Sequence, residues 1–228
     1  MPFPLFLALK YLKPKRSFTS VVTVISVLGV ILGVAIVIIV RAVMTGFGDM
    51  WREKILAFKP HVTISAYEGV IRDDETLAVQ VAAVPGVVAV SPSVEMRVLV
   101  ERDRQVQAPV VVGIDPARAA ALHPQLANRI ESGTFDLDGD NILIGTDLAS
   151  QLNVRAGDTL LVYSPMNLVS RDEVFFPEEL LVAGIFNMGQ GNFDSGFVIT
   201  SLGVARDLMG LTRGAYSLQV KTESPENP

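Results

Sequence analysis

The chain contains no cysteine and only two histidines, His61 and His123. An exported domain that does not rely on disulfides fits the missing thiols, as does a cytosolic protein. Neither histidine has a serine or aspartate nearby in sequence that would make a catalytic pair, so both read as surface or structural groups. No G-x-x-x-x-G-K-[ST] occurs, which excludes a phosphate-binding P-loop. No acid occurs before Asp49, and no charge of either sign occurs between Arg16 and Arg41. These absences leave little for catalysis and point instead to a membrane.

The charge-free run Ser17–Val40 holds 16 Val, Ile, Leu and Phe residues among 24. As a helix it reaches about 36 Å, enough to cross about 30 Å of hydrocarbon with some tilt. It is too long for the apolar core of a signal peptide, and "VRAVMTGFG" after it offers no small-x-small cleavage site. A retained membrane helix over residues 17–43 is therefore predicted. Lys10, Lys13, Lys15 and Arg16 precede it without any acid, whereas the 24 acids all follow Gly48 together with 14 basic residues. Basic flanks stay in the cytoplasm. Residues 1–16 are accordingly cytoplasmic and residues 49–228 periplasmic, with the helix in the inner membrane. A net charge near −10 beyond the membrane excludes a nucleic-acid partner.

Before the span, "FPLFLALKYLK" reads as a short helix on the inner surface, ended by Pro14. Within it, Ser26, Gly29 and Gly33 form a small-residue stripe on which another helix could pack closely. Beyond it, Phe47, Trp51, Ile55 and Phe58 continue one apolar stripe, so residues 44–59 extend the helix until Pro60 stops it.

The remainder reads as α+β. "HVTISAY" alternates as a half-buried strand, and "DDETLAVQVAAV" is a helix with acids in its first turn. "GVVAVSPSVEMRVLVE" and "QVQAPVVVGID" are strands joined by a charged turn at Arg102–Arg104. Asp115 caps a helix that starts at Pro116. Strand Ile142–Ile144 leads to a short helix capped by Thr146 or Asp147, and Gly157-Asp158 turns into strand Thr159–Tyr163. "LLVAGIF", "GFVITS" and "AYSLQVKT" are further strands, with helix "LGVARDLMG" before the last. "ESPENP" reads as a linker.

Three stretches invite a chemical reading. "DLDGDN" departs from a calcium loop, because Asn141 and Asp147 stand where glycine and glutamate are required, and reads as a polar turn. "GIFNMGQGNFDSG" has Asp194 at the third glycine position of a dinucleotide fingerprint and is followed by a strand rather than a helix, so nucleotide binding is rejected. "SPMNLVSRDEVFFPEE" carries Met166, Leu168, Arg171, Val174, Phe175 and Phe176 between two strands. It is either a loop folded onto the domain or an arm that docks a partner through its aromatics. No metal, cofactor or catalytic residue is expected.

At "LALKYLKPKRSF", "ISVLGVILGVAIVIIV" and "VMTGFGDMWREKILAFKPHVTI", and again at "ILIGTDLASQLNVRAGDTLLVYSP", the chain resembles lipoprotein-releasing permeases of the LolC/LolE family, which belong with the MacB-like ABC transporters. The resemblance implies a MacB-like periplasmic domain: a Porter first half at 60–114, a Sabre-like insertion at 115–214, and a returning Porter strand and linker at 215–228. It also implies a cytoplasmic ABC ATPase dimer on a separate chain, a second permease subunit, a lipoprotein substrate and a periplasmic carrier. Tyr163–Glu178 would occupy the carrier-holding Hook region. Such permeases have four membrane helices, so the chain is expected to be the N-terminal portion of one, or a truncated product. Arg41 stands where the family usually has a small or apolar residue. The Hook region lacks an arginine-and-proline-rich tip, although Arg171 and Pro177 remain, which leaves LolC-like and LolE-like roles open. A MacB-type efflux permease, or a single-pass periplasmic scaffold or sensor without an ATPase, is the alternative.

Overall fold

In a computed structural model the described residues are 7, 18–56, 60–67, 69–164 and 177–223. The chain falls into two compact units, Met1–Lys54 and Ile55–Pro228.

The first unit is dominated by helix α1, Phe18–Leu56, 39 residues without interruption. At 1.5 Å per residue it is about 58 Å long. The expected membrane helix and its extension are thus one backbone helix. It ends at Leu56; Pro60 is outside it, and the expected last turn at residues 57–59 lies outside the described residues. Apart from residue 7, so does the short N-terminal helix expected over residues 3–13.

The second unit, the body, is α+β as its alternating segments predict. Its strands are β1 Val62–Ser65, β2 Val87–Arg97, β3 Leu99–Arg102, β4 Gln105–Gln107, β5 Val110–Ile114, β6 Ile130–Gly133, β7 Asn141–Gly145, β8 Thr159–Tyr163, β9 Glu178–Phe186, β10 Phe197–Ser201 and β11 Ser217–Thr222. The helices are α2 Asp74–Ala82, α3 Pro116–Leu122, α4 Thr146–Leu152, α5 Gly191–Gly196 and α6 Leu202–Leu208, with a single 3₁₀ turn at Ala127–Arg129.

The strands form one sheet in the order β1-β11-β2-β5-β10-β7-β9-β8-β3-β4, with β6 also on β9. β11, from the far end of the sequence, lies between β1 and β2, antiparallel to both. Helix α2 covers one face of these three strands. Ala78, Val90, Leu218 and Val220 are buried there, with Val62 and Ile64 of edge strand β1 packed against them. Alternation sends Thr63, Ser65, Ser217 and Gln219 to the opposite face.

The single strand expected over residues 86–101 is two strands. β2 pairs with β5 as far as Arg97, and the ladder then breaks opposite Pro109, which has no N–H to offer. Val98 N–H donates to Pro109 O at 3.1 Å across the break. Beyond it, β3 pairs with β4 and β8. Because the inner and outer halves of this hairpin join different parts of the sheet, the strands between them must curl back on themselves. The largest core cluster fills that curve, with Val94, Val100, Ile144, Leu160 and Val198 all at 0% exposure.

The hairpin turns as expected, through Asp103 and Arg104 at φ of 48° and 70°. Two consecutive left-handed residues match the twist of the flanking strands. Arg102 pairs with Asp158, the residue that follows Gly157 into β8.

Candidate functional site

Ser26, Gly29 and Gly33 recur at helical spacing and share one face of α1. The Ser26 hydroxyl donates back to Val22 O at 2.9 Å, inside its own helix. A Cβ built on Gly29 or Gly33 would meet nothing within 4 Å, so no described element of this chain packs there. The span Val21–Gly48 has mean hydropathy 3.0, and none of its apolar window is buried. Large apolar side chains are exposed on every side of it, including Ile31, Leu32 and Val37. Arg41 is the span's one charge and is likewise exposed.

In the body, groups that sequence offers to chemistry are taken up by structure. His61 Nδ1 accepts from the Thr222 N–H at 3.2 Å, tying the start of β1 to the end of β11. His123 ends α3, is 5% exposed and places Nε2 3.1 Å from Gln219 Oε1. Gln219 Nε2 donates in turn to Ser93 Oγ at 3.1 Å and to Glu95 Oε1 at 3.3 Å. Both histidines thus make hydrogen bonds within the body. Asp138 N–H donates to Asp136 Oδ1 at 2.9 Å, so "DLDGDN" is a polar turn. Among the described residues no group of three or more His, Asp or Glu is placed to hold a metal ion.

The glycine-rich stretch after β9 needs a correction. Helix α5 precedes strand β10, where a strand alone was expected. Asp194 explains the fold of this stretch. It is 3% exposed, and its two carboxylate oxygens accept the N–H groups of Met188 and Gln190 at 2.8 and 2.9 Å. Its carbonyl would lie 2.2 Å from a Cβ at Gly145, so only glycine lets α5 cross β7 this closely. A six-residue helix bounded by glycines has too few turns to show a helical period. At α3, Asp115 Oδ1 accepts the Ala117 N–H at 2.9 Å, the expected cap. At α4, Gly145 holds the N-cap position without a side-chain bond, and Thr146 is already inside the helix, so the cap expected from Thr146 or Asp147 is not formed.

The expected partner-binding residues Met166, Leu168, Arg171, Val174, Phe175 and Phe176 lie outside the described residues. Their flanks are described. β8 and β9 are antiparallel neighbours, with Val162 opposite Glu178. The segment therefore connects two adjacent strand ends. Tyr163 Oη donates to Glu101 Oε2 at 2.8 Å, which raises the phenol above its ordinary value. Burial, then the charges of Asp207 and Asp140, raise the Glu178 carboxyl above the usual carboxylate range.

The body also contains features that sequence reasoning missed. Asp74, counted only as a first-turn acid, is 5% exposed and pairs with Arg206 of α6 at 2.6 Å. Arg206 Nε donates to Gly214 O at 2.8 Å, so one guanidinium joins α2, α6 and the approach to β11. Opposite α2, a cleft of about 340 Å³ opens on the sheet between β1, β11, β2, β5 and β10. Local patterning gives neither feature a signature, because the partners lie about a hundred residues apart.

The MacB-like periplasmic core domain family matches residues 23–228. The chain belongs to this family. Among the relatives of this MacB-like chain is the lipoprotein-releasing system transmembrane protein LolC of Xylella fastidiosa, 29% identical over 212 residues, which are 88% of this chain and 50% of LolC. The lipoprotein-releasing system transmembrane protein LolE of Haemophilus influenzae is 28% identical over 173 residues, 71% of this chain and 41% of LolE. The chain thus spans about half the length of the curated relatives it matches. Its fold is similar to the extracellular domain of the ABC-type transporter YknZ from Gram-positive bacteria. That likeness has a TM-score of 0.50 at 13% identity, covering 72% of this chain and 83% of that domain. The matched residues begin within α1, so membrane helix and body fall in one family region.

Proposed function

We propose that the chain is the N-terminal portion of a permease subunit in an inner-membrane ABC transporter that releases lipoproteins. α1 crosses the membrane with its basic foot in the cytoplasm, and the body stands in the periplasm. ATP is hydrolysed by an ATPase dimer on a separate chain, whose motion reaches the body through α1. Ser26, Gly29 and Gly33 face a helix of the remaining permease or of a second permease subunit. Residues 60–114 form the first Porter half, 115–214 the Sabre-like insertion and 215–228 the returning strand and linker. The segment with Met166, Leu168, Arg171, Val174, Phe175 and Phe176 meets a periplasmic carrier.

The observation that carries this reading is the unbroken helix from Phe18 to Leu56, which runs on past the exposed apolar span in a chain of the MacB-like family. A continuous helix has no internal joint, so displacement at one end is felt at the other. LolC and LolE as relatives support the choice of cargo. The place of β11 between β1 and β2 supports reading it as a returning strand.

The test is purification of the intact transporter from its own membrane. A bound lipoprotein, and a carrier crosslinked from a photoreactive residue at Phe175 or Phe176, are expected. An intact complex that yields neither overturns the release assignment. An adduct to the body without lipoprotein would return the chain to a scaffold.

A further inference from the structure

The cleft opposite α2 has two chemically different halves. On one side Val112 and Ile114 of β5, Ile199 and Phe197 of β10 and Leu126 present apolar surface. On the other, Ser217 and Gln219 of β11, Thr63 and Ser65 of β1 and Glu95 of β2 present hydroxyls, an amide and a carboxylate. Glu95 is the one Asp, Glu, Lys or Arg that lines the cleft among the described residues. It is exposed, accepts from Gln219 at 3.3 Å, and makes no ion pair among the described residues. The cations two residues on from Glu95 and from Gln219 bond to backbone carbonyls rather than to a carboxylate. Arg97 donates to Ala108 O at 2.9 Å and Lys221 to Ala121 O at 3.2 Å. Gln219 is itself held from behind by His123 and Ser93, so the polar wall is fixed before any ligand arrives.

A volume of about 340 Å³ is at the small end of ligand sites, suited to one or two side chains rather than a folded partner. A carboxylate without a salt bridge among the described residues selects a cation, and the opposite wall selects an apolar group. Among the described residues no Lys or Arg lines the cleft to receive a carboxylate, which disfavours a free amino acid. The hydroxyls of Thr63, Ser65 and Ser217 on the polar wall match backbone N–H and C=O groups. We propose that the cleft binds an extended peptide segment in which a lysine or arginine adjoins a large apolar side chain, the cation at Glu95 and the apolar group against Phe197 and Ile199. This site is independent of the lipoprotein-release reading.

The experiment uses the full chain in zwitterionic nanodiscs with labelled Ile, Leu and Val methyl groups. The probe is acetyl-Phe-Lys-amide, compared with acetyl-Phe-Glu-amide, acetyl-Ser-Lys-amide and phenethylamine. Acetyl-Phe-Lys-amide is expected to shift the methyl signals of Val112, Ile114 and Ile199 while leaving Leu160, in the other core cluster, in place. Its affinity should exceed that of each control at least threefold. Glu95→Gln, at an exposed position, should lower it at least threefold without altering the unliganded spectrum outside the cleft. Absence of shifts at millimolar probe, equal binding of the Glu peptide, or an unchanged affinity in Glu95→Gln overturns the proposal. Phenethylamine binding as tightly as the peptide overturns it too, in favour of a small-amine site.

Discussion

Helix α1 and the body use the same side chains in opposite ways. In α1, valine, isoleucine and leucine are exposed around the whole circumference, as at Val30, Ile38 and Val43. In the body the same residue types are sealed, as at Ile142, Leu148 and Val182. Amino-acid type alone does not separate the two. What separates them is the interval between charges: α1 has none from Phe18 to Val40, whereas the body's apolar runs are interrupted by a charge or turn every few residues. A strand in an interrupted run can hide its apolar face against a sheet. An uninterrupted helix has no polar face to leave outside, and only lipid or other apolar helices satisfy it.

The contrast is broken most directly by removing a large side chain from the sealed region. Phe186 is 0% exposed in the second core cluster, and Phe186→Ala should cost the body about 4 kcal/mol. Ile31→Ala in α1 should leave body stability unchanged, and a urea titration followed by pulse proteolysis measures both. The converse change is a charge in the exposed region. Leu32→Arg should weaken membrane insertion by about 3 kcal/mol, read from carbonate extraction of membranes, with no effect on the body's urea midpoint. If Leu32→Arg destabilised the body and left insertion intact, α1 would be a core helix rather than a membrane span.

Polar groups sharpen the comparison at smaller cost. Asp74 sits at 7% side-chain exposure and its partner Arg206 at 23%. Asp74→Ala strands a guanidinium and should cost about 2 kcal/mol, less than for a fully buried pair because water still reaches Arg206. The smallest effect is at Glu178. Its folded value is raised, so the folded state binds this proton more tightly than the unfolded chain does. The stability it gives is present at acid pH and is lost as pH rises through the folded value. Glu178→Gln should raise the melting temperature slightly at neutral pH, and the difference should vanish below the ordinary carboxylate range. Asp158 has the opposite sign. The Arg102 guanidinium and the Arg155 N–H hold it low, so its contribution is lost only as pH falls.

Legibility in the sequence followed distance along the chain. α1, the β3–β4 turn at Asp103-Arg104 and the Asp115 cap are each specified within a few residues, and all were readable. The break between β2 and β3 was half readable: nothing near Val98 announces it, but Pro109 on the facing strand does. The His123–Gln219 bond and the Asp74–Arg206 pair join residues 96 and 132 apart, the seat of β11 against β1 joins residues still farther apart, and no local pattern encodes them. Among candidate site residues, Ser26, Gly29 and Gly33 are proposed from spacing alone, whereas the cleft around Glu95 needs five strands assembled before it exists. Helix α5 was lost because Asp194 acts there through its carboxylate rather than through any period.

The position of β11 also fixes an order of events in biogenesis. The ribosome releases β1, α2 and β2 more than a hundred residues before the strand that must lie between β1 and β2. Until residue 222 has emerged, Ile64 and Val90 have no middle strand to close over them. The nascent body must wait as an open, sticky intermediate, and its yield will depend on holding chaperones more than on its final stability.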